Sequence, residues 1–408
     1  MLRPLVIDFD YSILHSASGQ IARVFWETNN GKRFNPTVVC SSQNTGIKSN
    51  CELVHVDECT LLRRATSAVK RLGFPDLCHI PDQRRFSWMP FVLHKLKGMD
   101  IKEYDYIHSI SCPESSHLLA LELKRKSSLP WVAQFNDPWI ENEAKIFKTS
   151  RFKRKDEKLE LEVAKTADLI IHTNRVIYEN WCERYDESIR SKMVVLPLSF
   201  NIMNLPDHVG SSCSDDKFRI FHIGHLYGKR SAKDVFDALA IIKENNPSLA
   251  DKLEMIFIGT LSMDDMVYAK QCGVEDLVKY IGVIHPDELT EYYQLADMFL
   301  VIDMEVLRSP SFPSKLMLYH YYQKPILGIT THGSIIEEDL QASGHKSYLY
   351  GDSVGIASYL TSAIKGEVDV SCFDRSYWKK FSVENVTNLY IDNISRLFED
   401  ESNIDNRC

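Results

Sequence analysis

Short runs of β-branched and aromatic residues recur between helix-length stretches of this chain, and the series occurs twice. In the first half the runs fall at residues 5–9, 37–40, 53–56, 106–110, 131–135, 169–171 and 193–196. Helical patterns at 61–72 and 115–126 lie between them. Short apolar runs that alternate with helices predict a parallel sheet covered on both faces. The pattern breaks over 197–216, where Pro197, Asn201, Asn204, Pro206 and Asp207 lead into a Gly/Ser/Asp stretch beginning at Gly210. A polar, turn-rich segment of this kind reads as a domain linker. A second series follows, with strands expected at 218–223, 254–258, 278–281, 298–302 and 325–329. Helices are expected at 232–245, 263–271, 286–294, 314–322 and 353–364. The expected architecture is therefore α/β, with one domain over 1–205 and a second over 206–380. A terminal helix over 381–398 is expected to return to the first domain.

Length agrees, because 408 residues suit two cores better than one. No apolar run approaches the roughly 18–20 residues that a membrane helix needs. The apolar run near Met1 is cut by Asp8 and Asp10, so it reads as a first buried strand and not as a signal peptide. A cytoplasmic protein is the expectation. The ten cysteines contain no C-x-x-C pair, which argues against a zinc site or a disulfide framework. Residues 1–205 carry 29 Lys+Arg against 25 Asp+Glu, and the remainder 19 against 31. A basic half and an acidic half imply different partners. A net charge of -8 and the lack of a recognised module disfavour nucleic acid.

Two segments carry chemistry. The first runs from Phe218 through Gly224, Gly228, Lys229 and Arg230 to Ser231. A buried strand there enters a loop with two glycines and two cations just before a helix. Glycines let backbone N–H groups approach an anion, and the helix N-terminus adds partial positive charge. Lys229 and Arg230 would complete a diphosphate clamp; the plainer reading is a tight turn with two solvated cations. The second segment is Ser309-Pro-Ser-Phe-Pro-Ser314-Lys315, followed by Tyr319 and Lys324-Pro325. Ser314 is positioned to cap a helix whose first turn holds Lys315. A cation there opposes the helix dipole, and a bound phosphate would remove the conflict. The alternative is a lysine that points to water.

Taken together, the segment 224–230, the Pro313-Ser314-Lys315 helix start and Tyr319…Pro325 resemble the GT-B glycosyltransferases of family 4. The branch that builds bacterial surface polysaccharides is the most similar. Pro81-Asp82…Trp88, Asp105-Tyr-Ile, Ala167-Asp168 and Leu196-Pro-Leu agree with it. Trp131-Val-Ala-Gln-Phe-Asn136-Asp137-Pro138-Trp139 is similar to the family's Arg-Asp-Pro-Trp motif. The resemblance spans about residues 1–398. It implies two Rossmann-like domains facing each other across a cleft, with a nucleoside-diphosphate sugar held mainly by the second. It also implies that Arg230 and Lys315 hold the donor diphosphate, assisted by Lys229 and Ser314. Gly19, Gly224, Gly259, Gly282 and Val283 then fall on the donor side, and Asp137 near the sugar and the acceptor hydroxyl. The implied reaction retains the anomeric configuration and uses side-chain cations in place of a metal; no cofactor is implied.

The sequence also departs from that family. Its Glu-x7-Glu motif would place carboxylates at Pro310 and Leu318, so the ribose-binding Glu is missing, and Asn136 replaces Arg. The loop at 16–23 has one glycine, Gly19, where two are common. Asp8 and Asp10 have the spacing of an Asp-x-Asp metal site but end the first strand. The cations between Lys145 and Lys158 read as a solvated helix face, or as a contact for anionic headgroups or a lipid-pyrophosphate acceptor. His108, His117, His222, His225 and His285 are read as structural, with His117 a second choice on the acceptor side. A sugar-nucleotide epimerase and a catalytically inactive glycan-assembly partner remain as alternatives.

Overall fold

The computed structural model describes residues 1–14, 16–42, 47–71, 82, 84–142, 150–202, 205, 216–226, 228–285 and 288–398. Of the linker anticipated over 197–216, residues 203, 204 and 206–215 lie outside these residues. So do Pro81, Lys145, Lys148, Tyr227, Pro286 and the acidic tail from 399.

The chain divides into two compact units, one of Met1–Asn201 with Lys380–Cys408 and one of Ile202–Lys379. The first unit holds β1 (Pro4–Ile7), β2 (Thr37–Ser41), β3 (Glu52–Val56), β4 (Tyr106–Ser111), β5 (Trp131–Phe135), β6 (Leu169–His172) and β7 (Met193–Val195). These strands form one parallel sheet in the order β3-β2-β1-β4-β5-β6-β7. The second unit holds β8 (Phe218–Ile223), β9 (Leu253–Ile258), β10 (Val278–Gly282), β11 (Met298–Ile302), β12 (Ile326–Thr330) and β13 (Lys346–Leu349). Its sheet is also parallel, in the order β10-β9-β8-β11-β12-β13. The continuous apolar runs are explained by burial: every residue of β1, β2, β4, β6, β11 and β12 is buried.

In both sheets the strand order reverses beside the first strand, between β1 and β4 and between β8 and β11. Chains leave in opposite directions at such a point, so a crevice opens beyond the strand carboxyl ends. Helices α1 (Ala17–Asn29) and α2 (Ser115–Ser127) follow β1 and β4, and α4 (Lys233–Asn245) and α5 (Lys315–Tyr322) follow β8 and β11; the fold also holds α3 (Ser150–Thr166), α6 (Ile335–Ala342) and the C-terminal α7 (Val383–Ile394). The sequence reading did not anticipate β13 or α6.

Helix α7 belongs to the first unit because of Tyr390, whose ring meets Phe25, Phe34 and Trp26 at 5.2, 5.6 and 6.0 Å. Its hydroxyl lies 3.0 Å from that of Tyr106 and 2.8 Å from His108 Nδ1, all in the buried core. Burial pushes the His108 imidazole down to about 3, so it stays neutral and Nδ1 accepts from Tyr390. Tyr390→Phe leaves two buried polar groups without this partner. The expected loss is about 1–3 kcal/mol of unfolding free energy in urea titration, with the same denaturant slope.

Candidate active site at the strand ends of the second unit

Strand β8 ends at Gly224, whose φ of +135° is one that side chains rarely adopt. The next strand end repeats this at Gly259, φ +121°, and the third at Gly282, φ +86°. The three are linked, since Gly224 N–H donates to the Ile258 carbonyl at 2.7 Å and Gly259 N–H to the Gly282 carbonyl at 2.8 Å. A Cβ on Gly259 would lie 2.1 Å from the Gly224 carbonyl oxygen, so no larger residue fits. A Cβ on Gly224 would lie 3.2 Å from the Lys315 ammonium. The strand ends are thus stripped of side chains where Lys315 arrives.

Lys315 reaches this point because Tyr319 fixes its helix. The Tyr319 ring stacks on Phe299 of β11 at 4.2 Å with planes 6° apart, and its hydroxyl accepts from Ile223 N–H at 3.0 Å. A residue four positions earlier on a helix shares the same face, so Lys315 also faces β8. At the other end of α5, His320 Nε2 lies 2.6 Å from Asp339 of α6, and Tyr377 donates to the same carboxylate at 2.9 Å. Ser314 occupies the N-cap position in helical geometry, and its hydroxyl makes no capping hydrogen bond, contrary to the capping expectation.

The Lys315 ammonium lies 3.0 Å from His222 Nε2 and 3.4 Å from Nδ1. Among the described residues no carboxylate forms an ion pair with it. Burial, and then the nearby Arg230 guanidinium, push its pKa well below the usual lysine range. Two cations side by side, one of them desolvated, prefer an anion between them. Arg230 is partly exposed and donates to Ser311 Oγ at 3.3 Å, on the loop leading to α5. Lys229 is exposed, and its carbonyl accepts from Glu305 N–H at 3.1 Å, joining the two loops of the crevice. Val283 is exposed just beyond Gly282.

Asp303, which the sequence reading missed, holds the second loop. One of its carboxylate oxygens accepts from Ser309 at 2.6 Å and Met304 N–H at 2.7 Å, and the other from Thr330 at 2.8 Å. The available signal was a single acidic residue directly after the apolar strand Met298–Ile302. Leu318, where a ribose-binding carboxylate was anticipated, packs partly buried against the core of α5.

Gly19 and Asp137 belong to the first unit. Gly19 lies in the first turn of α1, and a Cβ there would sit 2.1 Å from the Asp10 carbonyl oxygen. Close packing alone therefore accounts for that glycine. Asp137 follows β5, partly exposed. Beside it, Asn136 is fixed by Gln134 Nε2, which donates to its Oδ1 at 2.8 Å, and by Ser18 Oγ, which accepts from its Nδ2 at 3.0 Å. His117 is buried against Phe135, with Nδ1 2.8 Å from Ser109 Oγ, which leaves it a core residue. Asp8 is fully buried, and burial followed by the Asp10 charge pushes its pKa up to about 8.

No protein-family model and no functionally curated protein matches the sequence. Solved structures do match. Anabaena HepE in complex with UDP and glucose superposes with a TM-score of 0.67 at 13% identity, over 97% of this chain and 100% of that one. Sucrose-phosphate synthase from Thermosynechococcus elongatus gives 0.69 at 12% identity, over 98% and 100%. The apo lipopolysaccharide outer core galactosyltransferase WaaB gives 0.62 at 14%, over 97% and 99%. The chain has the GT-B fold. Within that fold, the crevice just described sits at the strand-order reversal of the second Rossmann-like unit.

The Asp8 carboxyl has a folded-state pKa above its unfolded one. Its contribution to stability is therefore complete below the ordinary carboxylate range and is lost as pH rises through about 8. Asp8→Asn keeps the acceptor for Asp10 N–H, now 2.9 Å away, and removes the ionisation. The variant's melting temperature relative to wild type is expected to be higher at pH 9 than at pH 5. An equal difference at both pH values would contradict the assignment.

Proposed function

We propose that the chain is a glycosyltransferase whose nucleoside-diphosphate sugar docks its diphosphate between Lys315 and Arg230. The observation that carries this reading is the convergence of these two cations on glycine-lined strand ends, with no carboxylate among the described residues paired to the ammonium. Lys229 and Ser314 assist, and Gly224, Gly259, Gly282 and Val283 line the donor side. As the bond from sugar to phosphate breaks, charge grows on the departing diphosphate. Fixed cations stabilise that charge without a metal. The anomeric configuration is retained, and the leaving phosphate takes the acceptor proton. Asp137 of the first unit contributes on the acceptor side, with the donor gripped by the second.

Fold likeness adds support of a general kind, because the similar HepE structure holds UDP and glucose. Leu318 in place of a carboxylate leaves the ribose without its usual partner, so donor affinity rests on the diphosphate and the base. The acceptor is proposed to be a glycan, lipid-linked and presented at the inner face of the cell membrane. Arg151, Lys153, Arg154, Lys155 and Lys158 of α3 support this, since all are exposed within its first nine residues. Among the described residues no helix is long and apolar enough to cross a membrane, so contact would be peripheral.

A thermal-shift screen against UDP-, GDP- and dTDP-sugars is expected to find at least one stabilising donor. At 100 times its dissociation constant, a ligand stabilises by about 2.7 kcal/mol. With that donor, Arg230→Ala and Lys315→Ala should each lower kcat by about a hundredfold or more without loss of fold. Full turnover in both variants would sink the mechanism. If no nucleotide binds at all, an inactive assembly partner becomes the better reading. For the membrane contact, co-sedimentation with anionic phosphatidylglycerol vesicles should fall when Arg151, Lys153, Arg154 and Lys155 are changed together to Ser. Unchanged sedimentation would reject that surface.

A further inference from the structure

Strand β8 carries one polar side chain that faces the crevice from below, His222, and its surroundings fix its state. The ring is buried, and Nδ1 lies 3.1 Å from the Leu300 carbonyl of β11. A carbonyl only accepts, so Nδ1 carries the hydrogen and donates. The Lys315 ammonium stands 3.0 Å from Nε2 and 3.4 Å from Nδ1 of the same ring. An ammonium in line with the Nε2 lone pair would lie much farther from Nδ1. Near-equal distances from both nitrogens therefore place the cation over the face of the imidazole, where the π system attracts it.

We propose that His222 is a positioning residue for the donor site: its neutral imidazole face holds the Lys315 ammonium over Gly224, directed at the diphosphate. This rests on the donor-phosphate reading above. The charged and titratable groups around the ammonium are few. His222 faces it from β8 and Arg230 from the following loop. Tyr319, on the same helix, turns its hydroxyl to Ile223 N–H. Asp303 and Tyr350 act on Arg230, not on Lys315. The imidazole is thus the closest stabilising contact for a desolvated cation that Arg230 repels. Burial and Lys315 itself keep His222 unprotonated, with its pKa well below the ordinary value. Without the ring face, Lys315 sheds its proton at lower pH and the site loses the charge held over Gly224.

The test compares His222→Phe with His222→Leu, because both lose the hydrogen bond to Leu300 and only Phe keeps an aromatic face. Binding of inorganic pyrophosphate is titrated calorimetrically from pH 6.5 to 9 for wild type, both variants, Lys315→Ala, and His222→Leu combined with Lys315→Ala. Thermal melts confirm the fold of each. His222→Leu is expected to weaken binding about tenfold at pH 7.5. It should also move the pH at which affinity falls off downward, while His222→Phe stays near wild type. The double variant should bind no more weakly than Lys315→Ala. If His222→Leu matches wild type in affinity and pH profile while Lys315→Ala is weakened, the role of His222 is wrong and the donor site stands. Equal weakening in Phe and Leu likewise rejects the ring face. If wild type does not bind pyrophosphate, or Lys315→Ala binds as wild type does, the donor-site reading falls and His222 with it.

Discussion

Among the described residues the ammonium of Lys315 has no carboxylate partner, and several contacts of the second unit fix its place. Tyr319 pins the helix between β8 and β11, Gly224 clears the space above the ammonium, and Asp339 anchors the far end of α5 through His320. The carboxylate of Asp303, just after β11, accepts from Ser309, Met304 N–H and Thr330. A carboxylate engaged in this way shapes the loop, and its charge acts on Arg230 and not on Lys315. Unpaired charge is unfavourable in a folded protein. Burial and Arg230 together lower the Lys315 pKa, and this strain at a strand-order reversal is what the proposed diphosphate site would relieve.

Much of this was legible in the sequence, and for a definite reason. Parallel strands buried on both faces must be apolar throughout, so their runs stand out without any alignment. Strands β11 and β12 announced themselves in this way, while β8 (Phe-Arg-Ile-Phe-His-Ile) showed as an alternation of apolar residues with Arg219 and His222. Strand β13 did not. Lys346–Leu349 is an edge strand with intermediate or exposed residues, and its Lys-Ser-Tyr-Leu sequence has no apolar run to detect. Helix α6 was hidden for a similar reason, since its eight residues offer only two turns of periodicity.

Contacts made across the fold were the illegible part. Tyr319 was noticed as part of a motif, but nothing local predicts that its hydroxyl accepts from Ile223 N–H, 96 positions away. Gly259 could be named, yet its necessity comes from the Gly224 carbonyl on the neighbouring strand end. Ser314 shows the opposite error. Its residue type fits a cap, but the helical geometry of the Pro313-Ser314 turn leaves the hydroxyl out of that role. Sequence reading gives residue types at positions; pairing between strand ends needs the sheet order.

The first unit treats its polar groups differently, and this bears on Asn136. A directed chain of hydrogen bonds starts at the paired Tyr106 and Tyr390 hydroxyls. It passes from Tyr390 to His108 Nδ1, then from His108 Nε2 to Gln134 Oε1 at 3.1 Å. It continues from Gln134 Nε2 to Asn136 Oδ1 and from Asn136 Nδ2 to Ser18 Oγ. Each amide accepts on one side and donates on the other, and His108 joins them only as a neutral ring. Arginine has donors and no acceptor, so at 136 it could not receive the Gln134 bond and would bring an uncompensated charge toward His108. An amide at that position is therefore a consistent substitution: it accepts from Gln134 and donates to Ser18, and so continues a chain that begins at Tyr106 and Tyr390.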